Sequence, residues 1–252
     1  MRQHLFAECA LNLRILFRQP GFWIPTVLFP AMLYAFFGAQ SGGGQWAVNA
    51  MASFAIYAVV GVGFFQFGVS VAQDRESPFA TWQRTLPGGV TNQWIARIFA
   101  SLIFSIIAVL LVIMLAQVMV GVDLKAAHWA RLGLVCLMSV VTATLMGIAL
   151  GSFTSARAAV PLANLVYLPM AYLGGLWVPP IAMPSAVNAI SQWTPTRAMG
   201  ELSWAAVSGA PWEARYLVLL GAWTIAAGVI VTFSQVWVLR SKAGKPVSPN
   251  AA

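Results

Sequence analysis

Hydrolysis, proton transfer, metal binding and disulfide chemistry draw on a short list of side chains, and this chain holds few of them. It has six carboxylates (Glu8, Asp74, Glu76, Asp123, Glu201 and Glu213), two histidines (His4 and His128) and two cysteines (Cys9 and Cys136) among 252 residues. They are spread too thinly for a metal cage or a disulfide framework. A serine and histidine dyad inside a bilayer needs a histidine at depth, whereas His4 lies in a polar N-terminal segment and His128 at the edge of an apolar stretch. A Gly-x4-Gly-Lys-Ser/Thr phosphate loop is missing as well, because the single Gly-Lys pair, Gly244-Lys245, runs into Pro246. The sequence predicts no catalytic residue, no metal and no cofactor bound by this chain. Whatever chemistry serves it is expected from another molecule.

The abundant residues say where the chain resides. Hydrophobic side chains make up 60% and charged ones 8%, against about 25% charged in soluble domains. With mean hydropathy at +0.80, too little polar surface remains to cover a water-soluble globule. The chain is read as a membrane protein. Its net charge of +8 comes from 14 Lys and Arg scattered singly between neutral stretches, so no basic face forms for nucleic acid and the charges mark topology. Cys9 falls in the N-terminal segment and Cys136 in an apolar run, so both are expected as free thiols.

No charged side chain occurs from 19 to 73, and the loop-like stretch QSGGGQ at 40–45 divides that run in two. Further neutral runs cover 98–122, 132–156, 158–196 and 216–239. Each holds the roughly 20 residues that cross a ~30 Å hydrocarbon layer as a helix. Spans are predicted near 21–39, 50–72, 94–120, 130–153, 159–178 and 215–238. Continuous apolar character excludes the alternating strands of a barrel. The expected fold is therefore an all-α membrane protein, a single domain over 1–252 with six transmembrane helices. An even number places both termini on one side. Taken as cytoplasmic, that side carries Arg2, Arg14, Arg18, Arg75, Arg84, Arg97, Arg157, Arg240, Lys242 and Lys245, against Lys125, Arg131, Arg197 and Arg215 outside. This is the positive-inside pattern.

Three segments outside the spans carry information. At 100° per residue, Leu5, Phe6, Cys9, Leu13, Leu16 and Phe17 share one face of an N-terminal helix, opposite Gln3, His4, Glu8, Asn12, Arg14, Arg18 and Gln19. The pattern predicts an interfacial amphipathic helix turning into the bilayer at Pro20-Gly21. Leu11 and Ile15 break its polar face. The loop at 73–93, QDRESPFATWQRTLPGGVTNQ, predicts a short helix with Asp74 and Glu76 near its start, Phe79 and Trp82 on one side, and Leu86-Pro87-Gly88-Gly89 at its end. Those aromatics either grip a soluble partner or rest in the membrane interface as belt residues. The third segment, 173–212, is mostly apolar but broken by Pro179, Pro180, Pro184, Pro195 and Pro211. It predicts re-entrant or interfacial external helices between spans five and six. Within it Arg197 and Glu201 are four apart and can pair, either as an ordinary interfacial ion pair or as a control on the outer mouth of a pathway.

The order of these features resembles the permease subunits of bacterial type-2 ABC exporters. The likeness rests on the amphipathic N-terminal helix, six spans, an RE...RTLP loop at Arg75, Glu76 and 84–87, a GG-W-x-PP-x3-P stretch from Gly174 and Gly175 to Pro184, and a Pro-Thr...Glu segment at Pro195, Thr196 and Glu201. It covers essentially the whole chain. The resemblance implies an ATP-driven exporter in the bacterial inner membrane, in which two permease copies, identical or related, pair with two ABC ATPase subunits that carry ATP and Mg. It also implies docking of the ATPase through Asp74, Arg75, Glu76, Phe79, Trp82 and Arg84, with a second contact at Arg157 in the link between spans four and five. Many members carry Gly-Thr after the RE element, where this chain has Ser77-Pro78.

The spans hold uncharged polar residues, Gln66, Gln117, Asn164 and Gln235, which are expected to bond neighbouring helices more readily than a substrate. Gly147 and Gly151 match a small-x3-small spacing, open between a close helix crossing and chance. The absence of ionisable groups deep in the spans argues against ion coupling and favours an apolar or amphipathic cargo, such as a drug, a lipid or a lipid-linked glycan. The competing reading is an ATP-independent secondary transporter or a structural membrane subunit.

Overall fold

The apolar runs fold into helices, and proline and glycine set where these bend or stop. The computed structural model of the chain describes residues 2–39, 43–76 and 89–243, and among them every regular element is helical. In chain order these are α1 (Arg2–Phe17), α2 (Pro20–Leu33) running into a π-helical turn at Tyr34–Gly38, α3 (Gly44–Gly61), a second π stretch at Val62–Gly68, and α4 (Val69–Glu76). Then follow α5 (Gly89–Val120), α6 (Ala126–Phe153), α7 (Ala159–Leu173), a 3-10 turn at Pro180–Ala182, α8 (Ser185–Ser191), α9 (Pro195–Ser208) and α10 (Ala214–Ala243).

Among the described residues, four stretches are long and apolar enough to cross a membrane: Gly44–Gln73, Ile95–Val120, Ala126–Phe153 and Ala214–Ser234. Two apolar helices, Trp23–Gly38 and Ala159–Leu173, are shorter. Every predicted span therefore has a helix, but the fifth stops at Leu173 rather than near 178. Gly174 caps it and Gly175 takes a φ of +74°, a left-handed conformation that suits glycine and turns the chain aside.

The helix through α3 and its π stretch is the axis of the bundle. From Met51 to Phe64 every side chain is buried, which marks a helix surrounded by others rather than facing lipid on one side. Around it, α5 buries Ala96, Ala100, Phe104, Ala108, Val112 and Ala116, one residue in four along a single stripe. The opposite face of α5 leaves Ile106, Leu110, Met114 and Val118 exposed, as α10 leaves Val218, Ile225, Val229 and Phe233. Apolar rows on the outside of a packed bundle are unstable in water and suited to lipid.

Where α3 gives way to its π stretch it crosses α6, and the contact is backbone on backbone. A Cβ on Gly63 would lie 2.6 Å from the Ala143 carbonyl carbon, and Cβ atoms on Gly147 and Gly151 would overlap the carbonyls of Gly63 and Gly68. The Gly147-x3-Gly151 spacing is thus a true close-approach site. Hydroxyls join further pairs: Ser101 and Thr144 lie 2.5 Å apart between α5 and α6, and Thr142 and Thr224 2.7 Å apart between α6 and α10. Tyr167 of α7 stacks on Tyr57 of α3 at 4.8 Å and donates to the Tyr57 carbonyl at 2.9 Å.

The N-terminal helix differs from the expectation in one respect. It packs along α5, with Leu16 buried, Leu13 beside the same cluster, and the Phe17 ring 4.9 Å from that of Phe104. Phe17 itself stays 46% exposed, so the predicted apolar face is shared between protein and surroundings. Leu11 and Ile15 are exposed.

Candidate functional site

The segment after α7 is organised by one buried arginine. Thr194 caps α9, its Oγ1 accepting from the Arg197 amide at 3.2 Å, and Pro195 occupies the first turn, where no backbone donor is needed. That start sets Arg197 inward, 6% exposed. Its Nε and Nη2 both donate to Glu201 Oε1 at 2.8 Å, while Nη1 donates to Asn188 Oδ1 at 3.2 Å and Ser191 Oγ at 3.0 Å. The expected i,i+4 pair therefore exists, and it does more than decorate a surface: a single guanidinium ties α8 to α9. Burial of such a charge is tolerable because these bonds replace its hydration.

Helix α9 itself is packed inside the bundle against α3, α6 and α10. Thr196 Oγ1 donates to the Met170 carbonyl of α7 at 2.6 Å, and a Cβ on Gly174 would fall 2.6 Å from the Thr196 Cβ. The first glycine of the GG pair is required by this crossing, the second by its left-handed φ. Pro179 and Pro180 lead into the 3-10 turn, and Pro184 precedes α8 at an exposed position.

Between this segment and α3 lies a cavity of about 350 Å³. Gly175, Pro179, Pro180, Trp177, Glu201 and Trp204 wall one side; Trp46, Asn49, Ala50, Ser53 and Phe54 of α3 wall the other, with Phe37 and Gly38 at the end of the first π turn. Trp204 Nε1 donates to Ser53 Oγ at 2.8 Å and so joins the two walls. The predicted residues Gly175, Pro179, Pro180 and Glu201 meet here. Sequence reasoning missed the α3 wall, although Trp46, Asn49, Ala50 and Ser53 recur at i, i+3, i+4 and i+7 and so share one helical face.

A second set of predicted residues lies elsewhere. Asp74, Arg75 and Glu76 form the last turn of α4; Phe79, Trp82 and Arg84 fall outside the described residues. Arg157 is exposed in the turn between α6 and α7. Ala159 and Ala163 just after that turn pack on Val69 and Ala72 of α4, which puts the Arg157 turn and the end of α4 at the same end of the bundle. Among the described residues, no three His, Cys, Asp or Glu side chains gather in a way that could hold a metal. Cys9 and Cys136 are both free.

The described residues thus form an all-helical bundle with apolar rows on its outside and a mostly apolar cavity beside α3. The family model described as ABC-2 family transporter protein matches residues 39–234. The chain belongs to the ABC-2 transporter family. It is similar to the putative transport permease YvfS of Bacillus subtilis (strain 168), 22% identical over 176 residues that cover 69% of this chain and 72% of the relative. No solved structure matches. As an ABC-2 permease it is a membrane subunit of an ABC transporter and not itself the catalyst.

The family match runs from just after the first π turn into α10 and takes in the crossing, the Arg197 hub and the whole 173–212 segment. The amides within the spans of this ABC-2 permease do not serve as expected where they are described. Asn164 donates to the Val160 carbonyl of its own helix at 3.3 Å, and Gln117 is exposed. Hydroxyl pairs take the bridging role instead, because serine and threonine are short enough to meet between closely packed backbones.

Proposed function

We propose that this chain is the membrane-spanning permease of an ATP-driven exporter in the bacterial inner membrane, with α2, α3 through α4, α5, α6, α7 and α10 as six spans and both termini cytoplasmic. Helices α2 and α7 are short for a ~30 Å layer, a mismatch that local bilayer thinning absorbs. The observation that carries the proposal is the family match over 39–234; these residues hold no phosphate loop, and the reading therefore assigns ATP hydrolysis to a separate subunit. ATP and Mg belong on that subunit. Two permease copies, identical or related, flank a path that opens outward when the ATPase pair moves them.

The end of α4 and the Arg157 turn are the contact with the ATPase in this reading. Their placement at one end of the bundle supports it, as does the positive-inside distribution of Lys and Arg. Re-entrant passage of the 173–212 segment from outside is supported by its short, proline-bounded helices and the burial of α9 in the bundle. The cargo is apolar or amphipathic, since the cavity walls are mostly aromatic and aliphatic.

The test is affinity purification of the tagged chain from its native membranes, followed by transport measurement in proteoliposomes. A co-purifying subunit with a phosphate loop, and export of an amphipathic dye that stops without ATP, are the expected results. Movement of solute by the chain alone overturns the proposal.

A further inference from the structure

The cavity between α3 and the external segment has a chemistry more specific than an apolar groove. Three indoles, Trp46, Trp177 and Trp204, and two further aromatic rings wall it, and Glu201 is the single charged residue among the described residues of its lining. The carboxylate is used asymmetrically: both Arg197 bonds fall on Oε1, and among the described residues Oε2 has no protein partner. The guanidinium does not line the cavity. It bonds Asn188 and Ser191 as well as Glu201 and sits over the Trp204 ring at 5.9 Å from its centroid, so Trp46 and Trp177 are the indoles without a cation of the chain against them among the described residues.

We propose that this cavity binds an amphipathic organic cation, with the aromatic faces receiving the cation and its apolar groups and Glu201 Oε2 supplying the counter-charge. Indole faces attract cations through the ring quadrupole, most strongly where water is excluded. Arg197 pairs with Oε1 of this carboxylate from outside the cavity, so an anion of the same shape meets Oε2 and not the guanidinium, and is disfavoured. The volume of about 350 Å³ falls at the small end of the ~300–1,000 Å³ range of ligand pockets, which suits one compact aromatic or branched cation rather than a polymer. Gly175 and Gly200 keep the site open and shaped, since a Cβ at either would come within 3.0–3.1 Å of the Trp204 ring. Calling the cation a transported substrate rests on the exporter reading; its binding does not.

The full chain in nanodiscs of phosphatidylcholine is titrated with tetraphenylphosphonium and with tetraphenylborate, which share a shape and differ in the sign of charge. Empty nanodiscs give the lipid background. Equilibrium binding of the phosphonium is expected to saturate and to be at least tenfold tighter than that of the borate. Glu201→Gln weakens the phosphonium about tenfold and narrows the gap between the two ions. Trp46→Ala, an exposed position away from the Arg197 bonds, weakens it several-fold and keeps the inference testable if the Glu201 variant fails to fold. Equal binding of both ions, or wild-type phosphonium binding by Trp46→Ala, overturns the inference. No ATP is present in this assay, so intact ATP-driven transport with no cation binding removes this inference alone, and cation binding without any ATP-dependent transport removes the exporter reading alone.

Discussion

At the scale of single residues, Arg197 carries more of the structure than any other charged side chain described. Its burial is supported by a carboxylate, an amide and a hydroxyl from two helices, and removing a partner of a buried pair costs on the order of 3–5 kcal/mol. Arg197→Ala is therefore expected to lower the midpoint of thermal unfolding in detergent sharply and to expose the 185–191 helix to protease. Arg197→Lys rescues little, because an ammonium lacks the planar fork that reaches Glu201 and Asn188 together. A wild-type midpoint for Arg197→Lys contradicts this assignment. Conversely, the sequence spacing of Arg197 and Glu201 predicted the pair but gave no sign of Asn188 and Ser191, which precede it in the chain and arrive only because α8 folds back beside α9.

At the scale of elements, the crossing of the π stretch on α6 leaves no room for a side chain at Gly63, Gly147 or Gly151. Gly147→Ala forces a methyl against the Gly63 carbonyl, and overpacking of this kind costs about 1–3 kcal/mol. The control lies in the same helix. Gly133 has open space around it, so Gly133→Ala is expected to be neutral or stabilising by up to ~1 kcal/mol through helix propensity alone. Thermal unfolding of the two variants side by side checks the difference, and equal effects refute the close-approach assignment. Two π stretches, at Tyr34–Gly38 and Val62–Gly68, were not legible in the sequence, where the runs look like ordinary apolar helix. An extra residue per turn is accommodated by what packs against it, and Gly63 and Gly68 meet their partners only in the folded bundle.

At the scale of the whole molecule, the prediction concerns sidedness and coupling. Single cysteines placed at Arg157 and at Lys125, in a background with Cys9 and Cys136 replaced by alanine, are expected to react with a membrane-impermeant maleimide from opposite faces, Lys125 from outside intact cells. Labelling of both from one face contradicts the six-span arrangement. The double variant Glu76→Ala with Arg84→Ala is expected to insert and fold normally while losing most ATPase stimulation and transport. Wild-type transport by that variant removes the docking role. Stability and coupling separate in this experiment, because the end of α4 lies beyond the Val69 and Ala72 cluster that holds α7.

The sequence by itself determined the solvent of this protein, the positions of its helices and the lack of any nucleotide-binding loop, because hydropathy over twenty residues and the placement of Gly, Pro and charge are local properties. Its order of motifs was enough to reach the ABC-2 family. What it did not determine is which helix stands at the centre. The run at 44–73 and the run at 95–120 are both apolar, yet the first is enclosed by its neighbours and the second keeps a row for lipid. Membrane hydropathy cannot distinguish a side chain buried by protein from one solvated by hydrocarbon, since both environments are dry. The aromatic cavity was hidden for the same reason. Its walls come from α3 and from a segment more than a hundred residues later, and only the packing of α9 into the bundle brings Ser53 to Trp204.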